Sequence, residues 1–596
     1  MDYDNCVSLP AMFFDNTEEI GDRPFLWAKY EGKWQSTSGA EARNKAASLA
    51  AGLASLGVTK GARIVLVSES RPEWMVADIA IMTAGAIAVP AYTTNRVSDH
   101  LHILKDSGAT GAIVSGPSLA KNLMPAAEEA GLKFVIAIDQ IDDQSTVPVY
   151  LWDSLVAANC AETPNFSAIS RTDTSCLIYT SGTGGVPKGV MLSHGAIISN
   201  CHGAHHLLQT LGLGDEVFLS FLPLSHSYEH TGGLMFPLSI KAQIYYAEGV
   251  DKLAANMEET HPTIMTAVPR LYETMHSRIL RGVQQKGGLS EKLFMKAVSI
   301  GRKKYEGRRL NFGETLMDPL LNKVVREKVA ERFGGRLKAM VSGGAPLNYE
   351  IGTFFKALDV ELLQGYGQTE SAPIISCNLP AKNKMDSVGP PLVGVDVKIG
   401  TDGEILVKGE LVMQGYWNMP EATAEAVRDG WLHTGDIGTI DEDGFLIITD
   451  RKKDIIVNSG GDNLSPQRIE GFLTLQPEIA QAMVYGDKKP NLVGLIVPDQ
   501  GFVSDWKRSN ANSADIRELI EDEEFRKAIA AAIDRVNNEL SVIERIRNFR
   551  LVTEEFTVEN EMMTPSLKIR RHIIRKNFHD ALEALYPRSG SALNQK

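Results

Sequence analysis

The chain has 596 residues, of which 43% are hydrophobic and 23% are charged. This length exceeds what one hydrophobic core usually supports, so two or more domains are expected. The formal net charge of -13 disfavours a general nucleic-acid binder, because such proteins need a basic surface. The five cysteines are scattered and include no Cys-x-x-Cys pair, which is not typical of a disulfide framework or a zinc cluster and favours a reducing compartment.

The amino terminus has none of the features of a secretory signal. Residues 1–4 are acidic where a signal peptide is basic, and no apolar run follows them. The most apolar stretch, residues 75–92, contains Asp78, Gly85 and Pro90, which indicates a core helix leading into a strand rather than a membrane span. The sequence therefore predicts a soluble, cytoplasmic protein that is at most peripheral on the inner face of a membrane.

Helical and extended patterns alternate through the first part of the chain. A helix is predicted over 40–56, ended by Gly57, and a strand over 63–67. Further helices are predicted at 75–84 and 100–106, and further strands at 86–89, 111–114 and 134–138. Ser193 can cap a further helix that runs from His194 to about Leu208. Strands that alternate with helices at this spacing predict an α/β fold, with a parallel sheet covered by helices on both faces.

A glycine-rich string, Tyr-Thr-Ser-Gly-Thr-Gly-Gly-Val-Pro-Lys-Gly-Val, occupies residues 179–190 after a predicted buried strand at 175–179. Its backbone amides and hydroxyl groups can surround an anion, and Lys188 adds a positive charge. It is not a P-loop, because Pro187 precedes the lysine and Gly189 follows it. The string predicts a triphosphate-binding loop whose candidate donors are Thr180, Ser181, Gly182, Thr183 and Lys188. The alternative is a glycine-rich turn that joins two strands.

The string resembles the phosphate loop of the adenylate-forming ligases, which include acyl-CoA synthetases, luciferases and peptide-synthetase adenylation domains. Gly184 stands where that family usually has threonine. Residues 267–273, Ala-Val-Pro-Arg-Leu-Tyr-Glu, are similar to a string of the long-chain fatty acyl-CoA ligase branch. The resemblance covers nearly the whole chain. It implies a large AMP-binding domain of two parallel-type sheets over 1–451, with a helical insertion at about 275–335, and a small mobile α+β domain over 452–596.

Two stretches that follow predicted strands provide candidate contacts for the nucleotide base. Small residues at 342–346 let a flat ring approach the backbone, and the resemblance makes them the wall against adenine, formed by Gly343, Gly344, Ala345 and Pro346. Residues 364–371 read Gln-Gly-Tyr-Gly-Gln-Thr-Glu-Ser. Tyr366 offers an aromatic face for the base, and the resemblance adds Gln364, Gly365 and Gly367 to the nucleotide site.

The same stretch provides groups for the phosphates and for a metal. Thr369 offers a hydroxyl for the α-phosphate, and Glu370 offers the hard oxygen ligand that Mg²⁺ prefers. In the family, residues of these kinds take these roles. The resemblance also implies that Thr180 contributes to the Mg²⁺ site together with Glu370.

Residues 387–456 change to short strands with tight turns, which predicts a β-barrel-like subdomain. Asp436 lies in one of these turns, where its carboxylate could accept hydrogen bonds from both ribose hydroxyls. The alternative is a carboxylate that only caps its turn. The resemblance assigns Arg451 to the ribose or phosphates and Lys453 to the pivot of an interdomain hinge. By composition alone, this segment is an exposed charged connector.

The last domain contains two motifs. The resemblance implies that Gly460 and Gly461 leave a groove for the pantetheine arm of coenzyme A. Residues 562–571 read Met-Met-Thr-Pro-Ser-Leu-Lys-Ile-Arg-Arg and match the long-chain branch's form of the catalytic lysine motif. That match assigns to Lys568 the contact with the carboxylate and with the oxygen that joins acid and phosphate.

Several histidines are candidates for packing as much as for function. The resemblance places His226 at the carboxylate end of the acid pocket, and a satisfied core histidine is an equal alternative. His202 and His206 could share one helical face, but no third ligand of suitable spacing accompanies them, so packing or surface roles are favoured. His230 stands where some long-chain relatives carry a bulky aromatic gate.

A charged helical stretch at 301–309 includes Arg302, Lys303, Arg308 and Arg309. A solvated helix face is the simpler interpretation. A more specific hypothesis is that this basic patch binds anionic lipid headgroups, so that a substrate dissolved in the bilayer can enter the acid pocket.

The resemblance implies an ATP-dependent fatty acid:CoA ligase that forms AMP and acts on a medium- or long-chain acid, with ATP, Mg²⁺ and coenzyme A. One alternative is an acid-adenylating enzyme that loads a carrier protein in trans, and another is a non-catalytic lipid-binding relative. A fatty acid is the expected partner, a nucleic acid is not, and a homodimer is a further expectation.

Overall fold

The computed structural model describes residues 1–142, 145–158, 164, 166, 168–180, 187–460, 462–510, 514–564 and 569–586. Five residues with predicted roles, namely Ser181, Gly182, Thr183, Gly461 and Lys568, lie outside the described residues.

The described strands, in chain order, are β1 Pro24–Tyr30, β2 Lys33–Ser38, β3 Arg63–Val67, β4 Ile87–Pro90, β5 Gly111–Val114, β6 Phe134–Ala137, β7 Val149–Leu151, β8 Thr174–Thr180, β9 Lys188–Ser193, β10 Val217–Ser220, β11 Gln243–Tyr246, β12 Ile264–Ala267, β13 Ala339–Ser342, β14 Leu362–Gly367, β15 Ile374–Cys377, β16 Asp396–Ile399, β17 Glu404–Lys408, β18 Gly415–Tyr416, β19 Val427–Arg428, β20 Trp431–Ile440, β21 Leu446–Arg451, β22 Ile456–Val457, β23 Asn463–Leu464, β24 Ile479–Tyr485, β25 Leu492–Pro498 and β26 Ile546–Leu551.

The described α-helices are α1 Leu9–Ile20, α2 Gly39–Ser55, α3 Pro72–Thr83, α4 Val97–Ser107, α5 Pro117–Ala130, α6 Trp152–Ala158, α7 His194–Leu208, α8 Ser227–Glu229, α9 Phe236–Ser239, α10 Leu253–Thr260, α11 Pro269–Lys286, α12 Gly288–Tyr305, α13 Phe312–Leu321, α14 Glu327–Arg332, α15 Tyr349–Ala357, α16 Pro420–Ala426, α17 Pro466–Leu473, α18 Gln500–Ser509, α19 Ile516–Leu519, α20 Glu523–Glu539, α21 Arg571–Asn577 and α22 His579–Glu583.

Two large sheets organise the first part of the chain. One has the order β15-β14-β13-β12-β10-β11-β1-β2, and the other has the order β18-β9-β8-β4-β3-β5-β6-β7. The inner strand pairs of both sheets are parallel, whereas antiparallel strands lie at the edges. The α/β fold with parallel-type sheets is confirmed, and the carboxyl ends of parallel strands are where such sheets bind ligands.

Three smaller sheets follow. The predicted β subdomain is a five-stranded antiparallel sheet, β16-β17-β20-β19 with β21 paired to β20. Beyond it, β22 pairs with β23, and β24-β25-β26 form a mixed sheet. The core beneath this last sheet includes Ile469, Phe525 and Ile529, so the carboxyl-terminal segment has a hydrophobic core of its own.

Local sequence signals account for several element boundaries. Ser193 caps α7, because its hydroxyl accepts the amide of Ala196 at 3.1 Å. The apolar stretch at 75–92 forms α3 and then β4, and the helix is buried from Trp74 to Met82. The prediction of a core helix that leads into a strand is therefore confirmed. Among the described residues, no helix combines the length and apolarity that crossing a membrane requires.

The segment between β12 and β13 is helical and contains α11 to α14. Most cations of the predicted basic patch are paired there. Arg302 contacts Glu350 at 2.7 Å, Lys303 contacts Glu314 at 2.7 Å, and Arg308 contacts Glu306 at 2.8 Å.

Candidate active site

A cleft of about 1110 Å³ lies at the carboxyl ends of β4, β8, β13 and β14 and extends to β20, β24 and the start of α21. The two large sheets, the antiparallel sheet and the carboxyl-terminal segment all contribute to its walls. Its described lining includes Tyr92, Tyr179, Thr180, Lys188, His226, Ser227, Tyr228, Gly343, Gly344, Gly365, Tyr366, Gly367, Thr369, Glu370, Tyr416, Asp436, Arg451, Lys453, Tyr485, Thr564, Ile569 and Arg571.

The glycine-rich string connects two antiparallel strands. Thr180 ends β8 and pairs with Lys188, which begins β9. After the string, β9 runs to Ser193 and α7 begins at His194. Because Thr180 and Lys188 are paired across the two strands, they lie next to each other although seven residues separate them in the sequence. Both residues line the cleft.

Tyr416 contacts both Lys188 and Glu370 in the cleft. The Lys188 ammonium lies 4.7 Å from the centroid of the Tyr416 ring, and the Tyr416 hydroxyl donates to Glu370 Oε1 at 2.8 Å. Burial, followed by the Glu370 charge, raises the pKa of Tyr416 well above its usual value. The phenol therefore stays a hydrogen-bond donor to Glu370.

Ser227 and His226 place further polar groups beside Thr369. The hydroxyls of Ser227 and Thr369 lie 3.0 Å apart. His226 caps α8, because its Nδ1 accepts the amide of Tyr228 at 3.1 Å. That bond makes Nδ1 the unprotonated nitrogen of a neutral ring, so Nε2 carries the proton.

The wall predicted for adenine is present in part. Gly343 and Gly344 line the cleft, and a Cβ at Gly343 would lie 3.0 Å from Cζ of Tyr228. Gly344 has a φ of 83°, which favours glycine. Ala345 and Pro346 do not line the described cleft. The Gln364 side chain also points elsewhere, because it accepts the Leu347 amide and donates to the Ser387 carbonyl.

Asp436 is held by Tyr366 of β14, in the first large sheet, and by Arg451 of β21, in the antiparallel sheet. Tyr366 donates its hydroxyl to Oδ2 at 2.7 Å, and Arg451 donates Nε–H to Oδ1 at 3.1 Å. The aspartate is 4% exposed. Burial, with the Asp436 charge second, raises the pKa of Tyr366 far above its usual range. Because Tyr366 and Arg451 each leave a lone pair free on the oxygen they contact, Asp436 can still accept hydrogen bonds from a ligand.

The segment after Arg451 borders the cleft and is tied to the antiparallel sheet through Lys452. Lys452 contacts Asp402 at 2.7 Å and Glu404 at 3.3 Å. Burial opposes ionisation of Glu404, but the Gly435 amide, His433 and Lys452 outweigh it and lower the pKa of Glu404. Lys453, the predicted pivot, is exposed and lines the cleft.

The residues that flank the predicted catalytic lysine reach the cleft. Met563 and Ile569 form an antiparallel bridge, and the Arg570 amide donates to the Met562 carbonyl at 2.8 Å. Thr564 and Ile569, on either side of the residues that include Lys568, both line the cleft. Arg96 at the start of α4 contacts Glu561 at 2.6 Å, which ties this segment to the second large sheet.

The predicted pantetheine groove lies apart from these residues. Gly460 is exposed, donates its amide to Asn458 at 2.9 Å, and does not line the described cleft. The structure therefore brings the flanks of Lys568, and not Gly460, to the described cleft.

The position at which some relatives carry an aromatic gate is buried. His230 Nε2 lies 2.9 Å from Asp78 Oδ2, and both side chains are fully buried. Next to it, Glu229 accepts hydrogen bonds from Ser220 and Thr266, both at 2.6 Å. Burial raises the pKa of Glu229 to about 7. His202 and His205 pack around the Tyr3 ring.

Sequence reasoning did not single out Tyr416, Ser227, Tyr228 or Glu404. Ser227 and Tyr228 stand directly after His226, so the polar turn around His226 is the sequence feature that could have identified them as site residues. Nothing in the sequence near Tyr416 connects it with Glu370, because the two are 46 residues apart.

Two family profiles together cover most of the chain. The profile described as AMP-binding enzyme matches residues 13–417, and the AMP-binding enzyme C-terminal domain matches residues 453–590. The chain belongs to the AMP-binding enzyme family. The second match begins at residue 453, just after the antiparallel sheet ends at Arg451.

Curated relatives from distant organisms match this AMP-binding enzyme over nearly its full length. Long-chain-fatty-acid–CoA ligase FadD15 of Mycobacterium tuberculosis is 32% identical over 97% of this chain and 97% of that protein. Fatty acyl-CoA synthetase A of Dictyostelium discoideum is 30% identical over 95% of this chain and 88% of that protein.

Solved structures of the family share the fold. The adenylation domain of a carboxylate reductase from Mycobacterium chelonae superposes with a TM-score of 0.78 over 98% of this chain and 91% of that chain, at 21% identity. This likeness supports the same arrangement of a large amino-terminal and a small carboxyl-terminal part.

Proposed function

We propose that this AMP-binding enzyme is an ATP-dependent fatty acid:CoA ligase that forms AMP and acts on a medium- or long-chain acid. The observation that carries the proposal is the meeting of Lys188, Glu370 and Asp436 around one cleft, from three separate stretches of the chain. These are the cation, metal-type ligand and ribose acceptor that adenylation requires. The relatives named as long-chain fatty acid ligases supply the class of acid.

Adenylation joins two anions. The carboxylate of the fatty acid attacks the α-phosphorus of ATP, a new C–O–P bond forms, and the bond to pyrophosphate breaks. Positioning and charge neutralisation supply most of the catalysis in such a step. Thr180 and Lys188 hold the β- and γ-phosphates, together with Ser181, Gly182 and Thr183 of the glycine-rich string. Thr369 contacts the α-phosphate, beside Ser227.

The nucleoside binds between two walls of the cleft. Gly343, Gly344 and Tyr366 face adenine, while Asp436 accepts from the ribose hydroxyls and Arg451 orients Asp436. Gln364 does not line the cleft and supports the site by fixing the Leu347 and Ser387 backbones. His226 stands at the carboxylate end of the acid pocket.

The donor set fits a magnesium ion. The Glu370 carboxylate and the Thr180 hydroxyl line the same cleft as Lys188, and both are the hard oxygen ligands that Mg²⁺ takes. When bound with ATP, the ion would supply charge neutralisation of the phosphates.

The carboxyl-terminal part supplies the last cation. Lys568 contacts the acid carboxylate and the bridging oxygen during adenylation, and the lining positions of Thr564 and Ile569 support this role. We place the domain boundary between Arg451 and Lys452, with Lys453 as the pivot.

Thioester formation follows after the small domain turns about Lys453. The thiol sulfur of coenzyme A attacks the acyl carbonyl carbon, the thioester bond forms, and AMP leaves. Gly460 and Gly461 would then line the path of the pantetheine arm. Because Gly460 lies outside the described cleft, this half-reaction needs a different placement of the small domain.

The test measures pyrophosphate, AMP and acyl-CoA with a panel of fatty acids from eight to eighteen carbons. We expect equimolar AMP and acyl-CoA in the presence of Mg²⁺ and ATP. Asp436→Asn should lose activity, whereas Asp429→Asn, which changes an exposed turn aspartate outside the cleft lining, should not. If pyrophosphate is released and the acyl group passes to a phosphopantetheinyl carrier protein but not to coenzyme A, the acceptor is the carrier protein. No pyrophosphate release with any acid would overturn the proposal.

A further inference from the structure

Helix α13 presents an apolar stripe to solvent. Phe312 is 86% exposed, Leu316 is 73% exposed and Leu320 is 55% exposed. Their spacing of four residues places them on one face of the helix. On α12, which packs against α13, Leu289 is 72% exposed. Among the described large hydrophobic residues, Val250 and Val542 are the others that are more than half exposed, so the exposure is concentrated in this insertion.

The carboxylates of α13 face away from this stripe. Glu314 contacts Lys296 at 2.9 Å and Lys303 at 2.7 Å, and its side chain is 4% exposed. Asp318 pairs with Lys304 and with Arg326. The two acids are thus neutralised on the inner side, and the exposed residues of α13 are uncharged.

Three exposed cations lie close in sequence to these apolar residues. Lys292 lies three residues after Leu289, Arg309 lies three residues before Phe312, and Lys323 lies three residues after Leu320. All three are exposed, and within the described part of the chain none has an ion-pair partner. The cations that the sequence suggested for lipid contact, Arg302, Lys303 and Arg308, are instead paired with acids.

We propose that the α13 face, formed by Phe312, Leu316 and Leu320 and bordered by Lys292, Arg309 and Lys323, docks on the surface of a membrane that contains anionic lipids. An apolar helix face with cations at its border binds in the interface of such membranes, where the apolar side chains enter the acyl boundary and the cations meet the headgroups. The absence of exposed carboxylates on the described face of α13 removes the repulsion that would oppose this contact.

A second copy of the chain fits this face less well. Three side chains on a helix of 10 residues fall short of the roughly 1,000 Å² that a stable protein interface buries. In a two-fold dimer the same patch faces itself, so the like charges of Lys292, Arg309 and Lys323 would approach one another. The proposal is independent of the ligase reaction, because none of these residues lines the cleft.

The experiment is sedimentation of the full chain with vesicles of phosphatidylcholine alone and of phosphatidylcholine with 30% phosphatidylglycerol. We expect binding to the anionic vesicles that weakens with added salt. The variant Phe312→Ser, Leu316→Ser, Leu320→Ser should bind at least about tenfold more weakly. The variant Lys292→Glu, Arg309→Glu, Lys323→Glu should lose a similar factor on anionic vesicles only.

The control is Val542→Ser with Ile543→Ser, which removes exposed apolar side chains from the carboxyl-terminal part and should bind like the wild type. Thermal unfolding checks that each variant is folded. Failure of the wild type to bind anionic vesicles, or equal binding by the stripe variant, would overturn the proposal. So would a wild-type dimer in sedimentation velocity that the stripe substitutions dissociate, because the face would then belong to a second copy.

Discussion

The hydroxyl of Tyr416 donates to Glu370 Oε1 at 2.8 Å while the ring of Tyr416 lies under the Lys188 ammonium, 4.7 Å from its centroid. One side chain thereby orients both the proposed metal ligand and the proposed phosphate cation. A hydrogen bond to a charged group contributes about 1.5–3 kcal/mol when it is buried, and less where water can replace it.

Tyr416→Phe tests this orientation, because it removes the hydroxyl and keeps the ring over Lys188. We expect the Mg²⁺ concentration for half-maximal pyrophosphate release to rise about three- to tenfold. Tyr416→Ala should also lower kcat, since it removes the ring contact. An unchanged Mg²⁺ dependence in Tyr416→Phe would show that Glu370 needs no such support.

Asp436→Ala tests the ribose contact. We expect the KM for ATP to rise about ten- to a hundredfold, because two hydrogen bonds to a carboxylate are lost. The wild type should discriminate against 2′-deoxy-ATP and 3′-deoxy-ATP, and the variant should lose most of that discrimination. Tyr366→Phe, which keeps the carboxylate, is the control and should retain it. If Asp436→Ala still discriminated like the wild type, Asp436 would not contact the ribose.

Lys568→Ala tests the catalytic lysine. We expect adenylation to fall at least about 10²-fold, because a cation at the developing charge is lost. Thioester formation from supplied acyl-AMP should be largely retained. Lys576→Ala, an exposed lysine of α21, is the control. Equal losses in both half-reactions of Lys568→Ala would contradict the assigned role.

Lys453→Pro tests the pivot. A proline restricts the backbone at the point about which the small domain turns, so thioester formation should slow at least about tenfold while adenylation stays within about threefold. Lys453→Ala removes the charge and keeps backbone freedom, and it should behave like the wild type in both steps. Parallel slowing of the two steps in Lys453→Pro would mean that the hinge lies elsewhere.

Glu229→Gln tests the buried carboxyl between Ser220 and Thr266. Burial raises the pKa of Glu229 from its ordinary value of 4.5 to about 7, so the protonated form is favoured in the folded chain. The stabilisation of the folded state that comes with this raised pKa is complete below about pH 4.5. It is lost as the pH rises through about 7, which lowers the free energy of unfolding by up to about 3 kcal/mol.

Glutamine keeps the shape of glutamate and cannot ionise. We therefore expect the two proteins to have similar free energies of unfolding at pH 4.5, and the variant to be the more stable at pH 8. Urea unfolding at both pH values measures the difference. A stability difference that does not change with pH would contradict the raised pKa.

Local signals accounted for much of the fold. The predicted strand at 111–114 is β5 without change of bounds, and the helix predicted after Ser193 is α7. Both depend on neighbours in the sequence, through apolar runs and a capping hydroxyl. The sequence left open the antiparallel pairing of β9 with β8 across the glycine-rich string, because an apolar run does not reveal its partner strand.

The candidate site divides in the same way. The chemical types needed for a nucleotide, namely hydroxyls, a lysine, small residues and carboxylates, are visible as motifs between predicted strands. The roles of Gln364, Ser227 and Tyr416 are not, because each is decided by residues far away in the chain. Gln364 directly precedes residues 365–367, which line the cleft, yet its own side chain supports Ser387 instead.

The sequence by itself determined the alternation of strands and helices and the order of the motifs, because these depend on residues within a few positions of one another. The tertiary structure alone decided which polar groups share the cleft and which, like His230 with Asp78, are buried away from it. It also decided which apolar residues stay exposed on α13. Burial and hydrogen bonding depend on what packs against a residue, and that partner comes from a distant part of the chain.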